Sequence, residues 1–197
     1  MKTKHWILLS LLMILFIGGG IKLFKKVNLN TNYELGQPID SLYGVKVYFN
    51  GGVDHVDGRT VTADGYNIGL KYQCVEFVKR FYYEHYNHKM PDPYGHAKSF
   101  FDPTVADGKW NPQRGLIQYT NGSSSKPQVG DLIVYGPSAA NSYGHVAIVS
   151  AVFDKHIEII QQNAGAFTPT RVEVKLKESK GKFTLNKKRI LGWLRKK

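Results

Sequence analysis

Hydrophobic residues follow different rhythms in successive parts of the chain. Residues 6–23 are almost wholly apolar, broken only by Ser10 and Lys22, with glycines at 18–20 near the end. Much further on, Val75, Phe77, Val78, Phe81, Tyr82 and Tyr86 recur at helical spacing, which predicts an amphipathic helix opening at about Cys74. Beyond residue 130 the rhythm changes again. Residues 131–135, 145–150, 156–160, 170–176 and 190–194 are short runs rich in β-branched side chains and read as successive strands. Turns at Gly136-Pro137 and at 153–155 suit antiparallel connections. Residues 90–110 hold Pro, Gly, His and Asp without periodicity and read as loops with one short helix. A helix followed by strands indicates an α+β domain.

The first apolar run is about long enough to cross a bilayer core. A cleaved signal peptide shares its basic start, but the run exceeds a usual signal core and no Ala-x-Ala site follows it, so an uncleaved anchor over residues 1–27 is expected. With only five residues ahead of the run, a single pass that leaves the rest of the chain outside the cytoplasm is the simpler orientation. Residues 28–37 are polar and Asn-rich and read as a linker; the domain proper is placed at 38–197. The formal net charge of +12 favours anionic partners such as lipid or acidic wall polymers. No nucleic-acid reading motif accompanies it, so specific nucleic-acid binding is not expected.

Cys74 is the single cysteine. At a helix N-terminus the unpaired N–H groups and the dipole favour a thiolate, although a lone cysteine is also commonly a small buried hydrophobe. His145 follows a glycine at the start of an apolar strand and is a candidate partner, with a structural strand histidine as the alternative. Glu84, His85 and His88 lie near one another, but nothing in the sequence completes a ligand set, so neither metal nor cofactor is expected.

The blocks Tyr72-Gln-Cys-Val-Glu-Phe-Val-Lys-Arg-Phe81, Pro127-Gln-Val-Gly-Asp-Leu132, Gly144-His-Val-Ala-Ile-Val149 and Gln161-Gln-Asn163 resemble, in order, those of the CHAP family of cysteine amidohydrolases and peptidases. Within it the likeness is greatest to the amidase domains of bifunctional glutathionylspermidine synthetase/amidases, and it runs from about residue 39 to 194. The resemblance implies a papain-like fold, with the nucleophile on an N-terminal helix packed on an antiparallel sheet. It implies that Cys74 attacks a carbonyl, that His145 handles the proton in a thiolate–imidazolium pair, and that the Cys74 backbone N–H is an oxyanion donor. Gln73 is a second candidate donor, or else a structural residue. Many family members carry Glu-Gln-Asn where this chain has Gln161-Gln162-Asn163, so the acidic orienter is missing. Strand parity puts Gln161 and Asn163 on one face and Glu158 on the other, leaving Gln161 or Asn163 to hold the imidazole through an amide oxygen. Lys79 replaces the first arginine of the related amidases' Arg-Arg pair and Arg80 matches the second; both are candidate substrate contacts, with a solvated lysine the alternative at position 79.

Three functional readings follow. The first is a membrane-anchored amidase or endopeptidase acting on bacterial cell-wall peptides, the second an amidase for a polyamine–peptide conjugate, and the third an inactive wall- or membrane-binding module.

Overall fold

The computed structural model describes residues 26–197 continuously and, ahead of them, only Trp6, Ile7, Ser10, Met13, Phe16, Gly19 and Gly20. The expected anchor at 1–27 therefore falls mostly outside the described residues. Among those described, no helix is long and apolar enough to cross a membrane.

The domain opens with two hairpins, β1 (Pro38–Leu42) with β2 (Val45–Tyr48), and β3 (Arg59–Val61) with β4 (Asn67–Leu70). The helix follows as α1 (Cys74–Tyr86), starting where the apolar spacing predicts. The expected short helix in the loop region is a 3-10 turn, η1 (Ala97–Phe100). The remaining strands are β5 (Lys109–Asn111), β6 (Leu116–Thr120), β7 (Leu132–Tyr135), β8 (His145–Val152), β9 (His156–Ile160), β10 (Arg171–Ser179), β11 (Lys182–Leu185) and β12 (Ile190–Arg195). They form one eight-stranded sheet in the order β11-β10-β9-β8-β7-β12-β6-β5, antiparallel throughout. One helix on this sheet gives the expected α+β, papain-like architecture.

Strand alternation divides the core in two. Val134, Val146, Ile148, Ile160 and Leu194 point to the face that receives Phe77, Val78, Phe81 and Tyr82 of α1 and the apolar residues of β1 and β2. Ile133, Ala147, Val149, Ile157, Ile159 and Trp193 point the other way. That second face is covered because the twisted sheet curls on itself. The turn after β6 meets β11 through Phe183 N–H to Ser123 O (2.7 Å) and Gly122 N–H to Phe183 O (2.9 Å), while Asn121 Oδ1 accepts from Leu185 N–H (2.8 Å). Curling lets Val174, Leu176 and Leu185 join the second core.

The sequence blocks acquire structural causes. In the block at 127–132, the buried Asp131 carboxylate caps Gln128 N–H (2.7 Å) and pairs with Arg195 of β12 (2.7 Å). Gly192 lies where β12 crosses β6, and a β-carbon there would collide with the Tyr119 carbonyl oxygen. Backbone cannot yield as a flexible side chain can, so Gly192→Ala is expected to destabilise the domain by about 3 kcal/mol. That corresponds to a fall in melting temperature of roughly 10 °C, measurable by circular dichroism; an unchanged melting temperature would show that the crossing has slack.

The expected linker is docked. Asn30 is buried and its Nδ2 donates to Ala166 O (2.8 Å), Tyr33 packs on Phe49 (5.4 Å between rings), and Gly36 and Gln37 exchange backbone bonds with Phe49. Residues 30–37 thus form an edge of the domain.

Candidate active site

Cys74 is the first residue of α1. The turn before it includes Tyr72 in the left-handed region (φ +62°), and the N-cap residue Gln73 is extended and makes no side-chain cap. The first N–H groups of the helix are therefore left for other partners. The thiol collects N–H groups from Val146, Val75 and Cys74 itself. Val146 immediately follows His145, so the sulfur lies against the start of β8.

His145 begins β8 because the chain turns sharply before it. Gly144 has φ +79°, and a β-carbon there would approach Tyr135 O to 2.5 Å and Lys98 N to 3.0 Å, so glycine is required. Asn141 Nδ2 ties the turn by donating to Gly144 O (2.7 Å). The His145 imidazole Nε2 lies 3.0 Å from Gln161 Oε1. Gln161 Nε2 donates to Pro169 O (3.1 Å), which fixes the amide with its oxygen toward the ring. An amide oxygen can only accept, so Nε2 carries the proton and Nδ1 keeps the lone pair.

Asn163, the other candidate orienter, is committed elsewhere, its Nδ2 donating to Gln73 Oε1 (2.7 Å) and Val53 O (2.8 Å). Glu158 faces the opposite side, bonded to Ser150 and Arg171 (2.7 and 2.9 Å). The Gln73 side chain is held by Asn163 and by His55 O (2.7 Å), and service as an oxyanion donor would require that second bond to be given up.

Gln162, which sequence reasoning passed over, braces the site. Its Oε1 accepts from Tyr48 N–H of β2 (2.7 Å), and its Nε2 donates to Gln73 O (3.0 Å) and to the buried Glu76 carboxylate (2.9 Å). Its place between two candidate residues, and that of Glu76 two positions after the cysteine, were the available signals. Glu76 is in turn paired with Arg80 (2.7 Å), whose guanidinium also donates to Lys46 O (2.7 Å). Lys79 is fully buried, so the solvated-lysine reading fails. Its ammonium donates to the carbonyls of Asn67 and Pro93 and lies 4.8 Å from the Tyr66 ring centre. Both cations already have protein partners, and a substrate contact would have to displace them. His85 stacks on Tyr43 (4.6 Å) and His88 bonds Arg114 O (2.8 Å); among the described residues no group of three or more His, Cys, Asp or Glu could hold a metal.

The electrostatics alter the expected charge state. Burial pushes the Cys74 thiol up to about 11, outweighing the pull of its N–H groups. Burial likewise pushes the His145 imidazole down to about 4; the Gln161 bond opposes this, while Lys187 and Arg189 reinforce it. Both shifts favour the neutral thiol and the neutral imidazole over the expected ion pair in the free protein near neutral pH. The cause is desolvation of two half-buried groups with no carboxylate beside them to sustain an imidazolium.

A stability prediction follows from His145. Its folded-state pKa lies below the unfolded value, so the unfolded chain binds the extra proton first and stability falls as pH drops from 6.5 to about 4. Allowing for partial solvent access, the loss is about 2 kcal/mol. Urea titrations across that window should show it for the native chain and show it diminished for His145→Gln; equal pH slopes would contradict a half-buried ring that stays neutral. His88, also lowered by burial, contributes to both proteins alike.

A family model described as the CHAP domain matches residues 63–163, more than half of the chain and inclusive of both Cys74 and His145. The chain belongs to the CHAP family. This CHAP domain is 33% identical over 111 residues to trypanothione synthetase of Crithidia fasciculata, a stretch making up 56% of this chain and 17% of that protein. It is 28% identical over 140 residues to glutathionylspermidine synthase of the same organism, covering 64% and 19% respectively. The chain therefore spans less than one fifth of the length of these curated relatives. Among solved structures, the crystal structure of Ly7917 aligns with 49% of this chain and 40% of that one, at 23% identity and a TM-score of 0.30.

Proposed function

We propose that this CHAP domain hydrolyses C–N amide bonds with Cys74 as nucleophile and His145 as general base, and that its substrates are peptides of the bacterial cell wall. The observation that carries the chemistry is the thiol at the open N-terminus of α1, against the backbone N–H that follows His145, with the imidazole oriented by Gln161. Because both groups favour the neutral form, proton transfer accompanies attack. As the sulfur bonds to the carbonyl carbon, Nδ1 takes the thiol proton and the carbonyl π electrons move to oxygen, where the Cys74 N–H donates. The oxyanion collapses, the C–N bond breaks, and the imidazolium passes its proton to the leaving amine. Water, deprotonated by the same nitrogen, then cleaves the thioester to a carboxylic acid and restores the thiol.

The substrate assignment draws on the net charge of +12, which suits an acidic polymer; a cleft of about 420 Å³ lined by Gln161, Tyr48, Asn30 and Tyr33 adjoins the site, though neither Cys74 nor His145 lines it. A location outside the cytoplasm, with residues 1–27 as the anchor, belongs to the same proposal. The second reading, hydrolysis of a polyamine conjugate, draws on the likeness to glutathionylspermidine synthase. Against it, a polycationic leaving group is repelled by a basic protein.

The test is incubation with purified peptidoglycan and, separately, glutathionylspermidine, with Cys74→Ala as control. New amino groups released from peptidoglycan by the native chain alone support the proposal. Release of spermidine alone selects the second reading, and no turnover of either leaves the binding module. Protease protection of a C-terminally tagged chain in intact cells tests the location.

A further inference from the structure

The sheet end that carries His145 holds a second group of side chains that the hydrolytic step does not use. Tyr135 of β7 lies opposite His145 in the strand register, with the two rings 5.9 Å apart. It is only 5% exposed, and its buried hydroxyl has no hydrogen-bond partner among the described residues. An unpaired buried hydroxyl is costly, and such groups in native folds call for a partner. Lys187 Nζ lies 5.7 Å from the centre of the Tyr135 ring. Arg189, two residues on, is held beside Tyr135, its carbonyl accepting from Gly136 N–H (2.8 Å) and the following Ile190 lying opposite Tyr135 in the β7–β12 register, and its charge acts on both Tyr135 and His145. Neither cation is paired with a carboxylate among the described residues. The backbone of Arg189 is also held in the left-handed region (φ +70°), a conformation that costs energy for a non-glycine residue and is concentrated at functional sites.

Two unpaired cations and an orphan hydroxyl beside the general base make an acceptor site for an oxyanion. We propose that Tyr135, Lys187 and Arg189 form a subsite for a carboxylate carried by the amide substrate, displaced from the scissile bond toward β7 and the turn before β12. This deepens the amidohydrolase reading and rests on it. The consequence reaches the chemistry, because both cations oppose a positive charge on His145. A bound carboxylate offsets that field, so the base strengthens when a substrate of the right class arrives. Amides lacking the carboxylate lose both the contact and this assistance.

The test needs no turnover. Cys74 in the full chain is alkylated with N-ethylmaleimide or with maleimidopropionate, which presents the same reacting ring with a carboxylate. The native protein should favour the anionic reagent over the neutral one about fivefold more than Lys187→Gln/Arg189→Gln does, the scale of two partly exposed ion pairs. Added salt should narrow the gap. The same reagent ratio in both proteins would overturn the subsite while leaving the amidohydrolase reading to the peptidoglycan and glutathionylspermidine assays. Should Cys74 resist both reagents, acetate is titrated while the His145 ring resonance is followed by NMR. A saturable shift present in the native chain and absent from the double variant supports the subsite, and identical behaviour in the two proteins overturns it. Where the reagents do label Cys74 and show the same ratio in both proteins, an acetate-dependent shift marks a site for free anions only, and the assignment to substrate stays overturned.

Discussion

His145→Ala is expected to lower amide hydrolysis about 10⁴-fold. The size follows from the charge state of the site. With the base removed nothing takes the thiol proton, and a thiol that desolvation raises above its ordinary value supplies only a small fraction of thiolate near neutral pH. The residual rate should climb steadily with hydroxide, one decade per pH unit. The native chain should instead show kcat/KM rising through an acid limb near the His145 value of about 4 and then levelling. Added imidazole should restore part of the variant's activity. A variant within tenfold of the native chain, or one with an unchanged pH profile, would remove His145 from the proton-transfer role.

Changes at Gln161 are expected to act in opposite directions. Gln161→Leu takes away the acceptor for Nε2–H, leaves that donor unpaired and frees the ring to turn, at a cost of about 10²-fold in kcat/KM. Gln161→Glu supplies the carboxylate that this chain lacks, and a carboxylate in hydrogen-bond contact raises an imidazole pKa by about 1–3 units. An imidazolium favours its thiolate partner, so alkylation of Cys74 by iodoacetamide near neutral pH should accelerate about tenfold or more. There is an opposing effect. Pro169 O now accepts from the Gln161 amide and would face a carboxylate, at about 1 kcal/mol in stability. Faster alkylation with a slightly lower melting temperature is therefore the expected pair of results. If glutamate leaves the thiol's pH profile unmoved, Gln161 does not govern the charge of the ring.

Much of the fold is legible along the chain because its causes are local. The apolar spacing from Val75 to Tyr86 needs only the geometry of a helix, and the β-branched runs that became β7, β8, β9, β10 and β12 need only a half-buried extended chain. β11 was missed because Lys182, Phe183, Thr184 and Leu185 offer too short an alternation. What makes them a strand is closure of the curled sheet through Ser123 and Gly122. Residues 28–37 read as a linker because Asn-rich sequence predicts solvation, yet Asn30 and Tyr33 find partners in Ala166 and Phe49, far along the chain. Lys79 shows the limit of residue type. A lysine on a helix reads as solvated or substrate-facing, and only the arrival of the Asn67 and Pro93 carbonyls explains its burial.

By itself the sequence determined the identity and order of the chemical groups. Cys74 opens a helix, His145 opens a strand, and strand parity sets Gln161 apart from Glu158. The tertiary structure alone decided how the three successive amides divide their work, with Gln161 on the imidazole, Gln162 on the helix N-terminus and Asn163 on Gln73. It also decided that desolvation favours the neutral thiol and the neutral imidazole. The reason is physical. Periodicity is written in neighbouring residues, whereas desolvation, amide orientation and the field of Lys187 and Arg189 depend on groups that meet only after the sheet has curled and the helix has settled on it.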